Sequence, residues 1–225
     1  LIGMSTKIIE QAILDYYTIR ESFDGNIDNK VIVFVGDCKR GRTVQSLAKT
    51  LALHENITIY FVAPDDLQVP DETLEYLEQK GAKVIKETEE LRKVVPFADV
   101  VYMTRIQNEH GGGGSYDANF VFTYDMLDLM KGSESLKGLS QKEIEKKFFD
   151  KDGSKLKTGI LMHPMPKREE IDSRIDYIQR DPRVMYWRQQ RNGMWTRVAE
   201  LAYLFRVSDK MLSKFKFYKL LKMLK

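Results

Sequence analysis

The sequence predicts an α/β protein built on a Rossmann-like, doubly wound parallel sheet of about five strands flanked by helices. Three observations carry that expectation. Short, continuously apolar runs such as Val31–Val35 and Ala98–Met103 are what strands buried on both faces look like. They alternate with helix-period segments at the intervals of βαβ units, whose right-handed crossovers give a parallel sheet. Three of the runs also break off abruptly into polar clusters. Val31–Val35 enters Gly36-Asp37 and then Lys39 to Thr43, Ala98–Met103 enters Thr104-Arg105-Ile106-Gln107, and Gly159–Met162 enters His163-Pro164-Met165-Pro166. If these strands are parallel, their tips sit together along the carboxyl edge, where open α/β sheets keep their ligands.

Taken in order, Gly3 to Phe23 reads as a helix, with Ile9, Ala12, Ile13, Tyr16 and Ile19 at helical spacing and no proline. Turns at Gly25-Asn26 and Asp28-Asn29 lead into the strand Val31–Val35, and Arg42 to His54 is the next helix. Ile57–Val62 is a strand closed by Ala63-Pro64. Asp71 to Lys80 is a helix with a carboxylate at its positive end and Gly81 as its stop. Ala82–Ile85 is a short strand and Glu89–Val95 a short helix, after which Pro96 resets the chain for Ala98–Met103. Asn119 to Lys131 is expected as a helix, Gly159–Met162 as a strand, and Asn192-Gly193 as the introduction to a final core helix, Met194–Phe205. Gly111 to Ser115, four glycines and a serine, has no side chains to pack and reads as a flexible connector, unlike the GxxxxGK[ST] of a phosphate-binding loop. Residues 132–158 are polar and lysine-rich, with a short helix expected at Gln141–Phe149, and read as a surface insertion.

Composition narrows the class. With 43% hydrophobic residues over 225 positions, the chain can bury a real core. A single cysteine, Cys38, excludes an intrachain disulfide framework, and no secretory signal or long apolar span is present, so the expected setting is cytoplasmic. The net charge of +3 is unevenly spread: residues 206–225 carry a surplus of six positive charges, leaving the first 205 at −3. Neither a nucleic-acid partner nor a membrane is expected for the body of the chain. The tail sets Leu212, Phe215, Tyr218, Leu221 and Leu224 on one face and lysines on the other, a pattern shared by membrane-surface or partner-binding helices and by helices that pack on their own domain; the last is preferred here.

The converging tips suggest a chemistry. Arg42 and Arg105 both fall just beyond strand ends, and Arg42 opens a helix whose unpaired N–H groups favour an anion. Two planar guanidinium forks suit a ligand with two carboxylates, or a carboxylate and a phosphate, and Gln107 adds a donor and an acceptor. Each arginine could instead pair with a neighbouring acid, Asp37 or Glu109. The prolines of His163-Pro164-Met165-Pro166 fix an extended backbone and remove two donors, so the carbonyls of Pro164 and Met165 can face a ligand amine or amide, or the motif can be a rigid structural turn. His163 suits either a buried, satisfied imidazole or a general base. A nucleotide-binding domain is disfavoured, because GDCKRG follows the first strand where GxGxxG would be needed.

Together these stretches resemble the aspartate carbamoyltransferase family. Gly36 to Leu47 is similar to its GDxKxGRTxxSL motif, Thr104-Arg105-Ile106-Gln107 to TRxQ, and His163-Pro164-Met165-Pro166 to HPLP, in the right order and on strand ends. Glu10 to Ile19 resembles the helix linking the family's two domains, and Arg191-Asn192-Gly193 the approach to its last long helix. The resemblance implies that residues 1–24 are an interdomain-type linking helix, 25–205 an aspartate-binding domain and 206–225 an appended basic amphipathic helix. It implies transfer of the carbamoyl group of carbamoyl phosphate to aspartate, with release of phosphate, as an early pyrimidine step. Arg42, Arg105 and Gln107 would hold the carboxylates of L-aspartate or a similar dicarboxylate; Gln11, Met165 and Pro166 would lie at the carbamoyl group, supported by His163 and Pro164. No cofactor and no metal is expected. Ornithine is disfavoured, since Pro164 stands where the sister family has cysteine.

The chain also departs from the family. A carbamoyl-phosphate domain with its Ser-Thr-Arg-Thr loop is missing before the linking helix, and His-Pro-Thr-Gln reads Ile8-Ile9-Glu10-Gln11, so the expected catalytic histidine is replaced at Ile8. Glu109 is followed by His110 and the glycine run. The expectation is an aspartate-binding half, inactive alone, that meets carbamoyl phosphate only with a further domain and exposes helices for self-association or a partner chain. The alternative is a non-catalytic scaffold or interaction module.

Overall fold

The computed structural model describes residues 6–105, 117–144 and 158–207, with the backbone alone at 6–9. Five parallel strands, β1 (Val31–Val35), β2 (Thr58–Val62), β3 (Lys83–Glu87), β4 (Val100–Met103) and β5 (Ile160–Met162), form one sheet in the order β3-β2-β1-β4-β5. The chain leaves β1 first toward one edge and then, from β4, toward the other. β1 and β4 therefore flank the point where strand order reverses.

Alternation along each strand divides the core. Ile32, Phe34, Ile59, Phe61 and Tyr102 face one layer, while Val33, Val35, Val62, Val101 and Met103 face the other, all fully buried. The first layer is covered by α1 (Thr6–Ser22), α2 (Arg42–Leu51) and α3 (Asp71–Gln79). Its apolar periodicity explains α2, whose Val44, Leu47, Ala48 and Leu51 are buried; Gly81, at φ +81°, ends α3.

The second layer differs from expectation. Glu89–Val95 and Asn119–Lys131 are not α-helices; they are short 3₁₀ turns at Leu91–Lys93, Val95–Phe97, Ala118–Phe120 and Tyr124–Leu129. Pro96 interrupts the first. In the second, Phe122 is drawn into a parallel bridge with Ile171, its N–H donating to Glu170 O at 2.9 Å and its carbonyl accepting from Asp172 N at 3.0 Å. A residue bonded sideways in that way cannot join an i to i−4 ladder.

The last helix also begins earlier than expected. α4 (Tyr186–Leu204) runs straight through Asn192-Gly193. There the missing side chain serves packing: a Cβ on Gly193 would stand 3.4 Å from Leu14 Cδ2, and Asn192 Nδ2 donates to Thr18 Oγ1 at 2.9 Å, so α1 and α4 meet closely at this pair. Within 132–158, the described part turns Ser133, Leu136 and Ile144 inward. The glycine connector, most of the helix expected at Gln141–Phe149, and the tail beyond Val207 lie outside the described residues. No described helix is long and apolar enough to cross a membrane.

Candidate active site

Adjacent registers bring three strand exits together: Val35 lies opposite Met103, and Tyr102 opposite Met162. Asp37, Thr104-Arg105 and the His163–Pro166 turn consequently border one cavity of about 320 Å³, completed by Gln11 from α1 and by Gly41 and Thr43 at the start of α2. Close approach of β1 and β4 depends on Gly36, at φ +105°. A Cβ there would fall 2.5 Å from Thr104 O, and Thr104 itself is bonded to Val35 O through both N and Oγ1, at 2.8 and 2.7 Å.

Arg105 lines the cavity and Arg42 does not. Arg42 opens α2 between Gly41 and Thr43, which do line it, but its own side chain is exposed beside the opening. Asp37 is buried at the floor, where Oδ1 accepts from Arg40 N at 2.8 Å. The neighbouring Cys38 is buried, and burial, with Asp37 beside it, drives its thiol pKa far up, so it is not a nucleophile. Gln107 and the side chain of Ile8 lie outside the described residues.

The proline turn is held from behind. Met165 has φ +61° and precedes a cis bond to Pro166. His163 accepts from Met165 N through Nδ1 at 2.8 Å, which assigns the ring proton to Nε2. That nitrogen stands 2.7 Å from Oε1 of the fully buried Glu170, at ion-pair distance though out of line for a straight hydrogen bond. Burial works against ionisation of Glu170, but His163 and the Arg168 N–H (2.9 Å) outweigh it and hold the carboxyl below its ordinary range. Of the two readings the sequence leaves open, the geometry matches a buried imidazole committed to the turn.

A second buried carboxylate was missed. Asp15 on α1 is wholly inaccessible; its Oδ1 accepts from Gln11 Nε2 at 2.9 Å and Gln189 Nε2 at 2.6 Å, and its Oδ2 from the Tyr102 hydroxyl at 2.6 Å. Burial pushes its pKa up to about 7, although all three donors pull the other way. Gln189 then continues the network, its Oε1 accepting from His163 N at 2.9 Å. The available signal was Asp15 within the buried stripe Ala12, Asp15, Ile19, four residues from Gln11. Among the described residues no cluster of histidine, cysteine or carboxylate side chains could hold a metal ion.

A doubly wound sheet whose switch point carries an arginine, a buried network joining two glutamines to one carboxylate, and a proline turn defines a small-molecule binding domain of the α/β class. Residues 28–204 match the family model described as "Aspartate/ornithine carbamoyltransferase, Asp/Orn binding domain", and the chain belongs to that family. It is 38% identical over 196 residues to the chloroplastic aspartate carbamoyltransferase of Arabidopsis thaliana, covering 86% of this chain and 43% of that protein. It is 35% identical over 194 residues to the catalytic subunit from Methanococcus vannielii, covering 86% and 54%. Among solved structures it resembles the catalytic subunit of M. jannaschii aspartate transcarbamoylase (TM-score 0.64, 31% identity, 89% of this chain and 56% of that one). It also resembles the Trypanosoma cruzi enzyme in complex with aspartate and phosphate (TM-score 0.62, 32% identity, 84% and 51%). The chain thus spans about half the length of the relatives it matches, and corresponds to their aspartate-binding half.

Proposed function

We propose that the cavity binds L-aspartate or a similar dicarboxylate, and that the chain supplies this half of an aspartate carbamoyltransferase in pyrimidine biosynthesis. The observation that carries the reading is the meeting of Arg105, Gln11 and the His163–Pro166 turn in one cavity at the switch point. Arg105 pairs with one carboxylate; Arg42, beside the opening, and Gln107 hold the other. Gln11 and the carbonyls of Pro164 and Met165 orient the N–H₂ of the carbamoyl group. With carbamoyl phosphate presented by a separate domain, the aspartate amine attacks the carbamoyl carbon, a C–N bond forms, the C–O bond to phosphate breaks, and the amine's proton passes to the departing phosphate. Polarising the carbonyl and binding phosphate each contribute orders of magnitude in rate, and both fall to groups outside this half. The chain alone therefore has no turnover. Cys38, buried and unpaired, fits a reducing, cytoplasmic setting.

Met194, Leu201 and Leu204 on α4, with Phe205 just past its end, are exposed apolar side chains, which supports a partner-facing role for that helix, with the carbamoyl-phosphate-binding half as its occupant. The test is calorimetric titration of the chain with succinate and L-aspartate. Binding at millimolar concentration, lost in Arg105→Ala, is expected; unchanged binding in that variant, or none by the parent chain, overturns the reading. A carbamoyl-aspartate assay of the chain by itself should give no rate.

A further inference from the structure

Asp15 has no part in the chemistry just described, yet both of its oxygens are committed beneath the cavity. A side-chain amide has one donating end and one accepting end, so whichever end is fixed decides what the other presents. Because Oδ1 takes Nε2 of both Gln11 and Gln189, both glutamines turn their carbonyl oxygens away from it. The Gln189 oxygen receives the His163 N–H, and that residue anchors the turn through Met165 N. The Gln11 oxygen is the end left for a ligand, since Gln11 borders the cavity.

We propose that Asp15 is a positioning residue that sets the hydrogen-bond polarity of the cavity, making Gln11 an acceptor for the N–H₂ of a carbamoyl or ureido group and, through Gln189, holding the His163–Pro166 turn in register. The inference rests on the reading of the cavity given above. The two oxygens divide the work. The Tyr102 hydroxyl can donate or accept, so a proton on Oδ2 reverses that bond and leaves Oδ1 an acceptor either way. An asparagine at position 15 can do the same, with Oδ1 toward the glutamines and Nδ2 toward Tyr102. An alanine can do neither, and releases both amides to rotate.

The test compares two ligands that share the dicarboxylate and differ in the ureido group, succinate and N-carbamoyl-L-aspartate, by calorimetry on the full chain. Asp15→Ala is expected to reduce the preference for N-carbamoyl-L-aspartate over succinate by about tenfold, the upper worth of one neutral acceptor, while succinate affinity changes far less. Asp15→Asn is expected to keep the parent's preference. Retention of the preference in Asp15→Ala, or its equal loss in Asp15→Asn, overturns the proposal. Hydrogen exchange of the side-chain amides in the parent chain supplies an arm independent of ligand binding and of the variant's folding. The Gln11 and Gln189 protons should exchange far more slowly than those of the exposed Gln190; equal rates overturn the proposal. Failure of the parent to bind succinate, with slow exchange at both glutamines, removes the reading of the cavity and leaves the role of Asp15 in fixing the amides standing.

Discussion

Two carboxylates lie fully buried behind the same cavity, and they are held in opposite ways. Glu170 faces the ring of His163 and a backbone N–H, and its carboxyl is kept below the ordinary range. Asp15 faces only neutral donors, two amides and a phenol, and its pKa rises to about 7. Burial penalises charge in both. Desolvation weighs more heavily on Asp15, and its three neutral donors do not offset it, whereas at Glu170 the His163 ring and the backbone N–H groups outweigh a smaller penalty. One side of the site is therefore a truss of carboxylate, imidazole and backbone N–H that keeps its charge, and the other a polar scaffold that tolerates losing it.

The largest expected effect comes from removing the truss. Glu170→Ala leaves the His163 Nε2–H and the Arg168 N–H without their acceptor and should lower unfolding free energy by about 3 kcal/mol, since each buried donor left unpaired costs about 1–3 kcal/mol, measured by urea denaturation. A loss below 1 kcal/mol would erase the distinction between the two carboxylates. The next effect is on pH dependence. Asp15 titrates near 3.8 when unfolded and near 7 when folded, so the folded state holds its proton longer. Its contribution to stability is full below about 4, is lost as pH rises to about 7, and is level above. Glu170 has the opposite sign: its contribution is present above its unfolded value of 4.5 and lost as pH falls through the lower folded value. Asp15→Asn should flatten the slope between about pH 4 and 7 and, at pH 8, exceed the parent by on the order of 2 kcal/mol. A parent curve that rises across that window would reverse the assignment.

Tyr102→Phe takes one donor from Asp15 without touching Glu170, and should cost about 1.5 kcal/mol while raising the Asp15 titration midpoint further, followed by its carboxyl carbon resonance. An unmoved midpoint would place the Tyr102 bond outside the network. The smallest effect is expected at the helix contact that clamps both glutamines. Gly193→Ala adds a methyl at ordinary contact distance from Leu14 and removes a mid-helix glycine, so stability should rise by about 0.5 kcal/mol. A marked loss in thermal midpoint would mean that α1 and α4 sit closer than their present spacing.

Much of the scaffold was legible because it rests on periodicity. The apolar runs became the five parallel strands within one or two residues at their ends, and the polar clusters after β1, β4 and β5 do meet. What was not legible depends on partners distant in sequence. Phe122 leaves a helical pattern only because Ile171 pairs with it, and Asn192-Gly193 reads as the introduction to a helix until Leu14 and Thr18 are placed against it. Asp15 and Gln189 stand 174 positions apart, and a lone carboxylate in an apolar stripe announces no partner. Arg42 is expected beside Arg105, but only Arg105 lines the cavity, while Arg42 is exposed at the first position of α2.

The links between α1 and α4 run in reverse order, Glu10 to Arg197, Leu14 to Gly193 and Thr18 to Asn192, so the two helices are antiparallel. The beginning of one stands beside the finish of the other. Polypeptide attached ahead of Thr6 or beyond Leu204 would thus be tethered at a single flank of the domain, and whatever either tether carried would be delivered to the same neighbourhood.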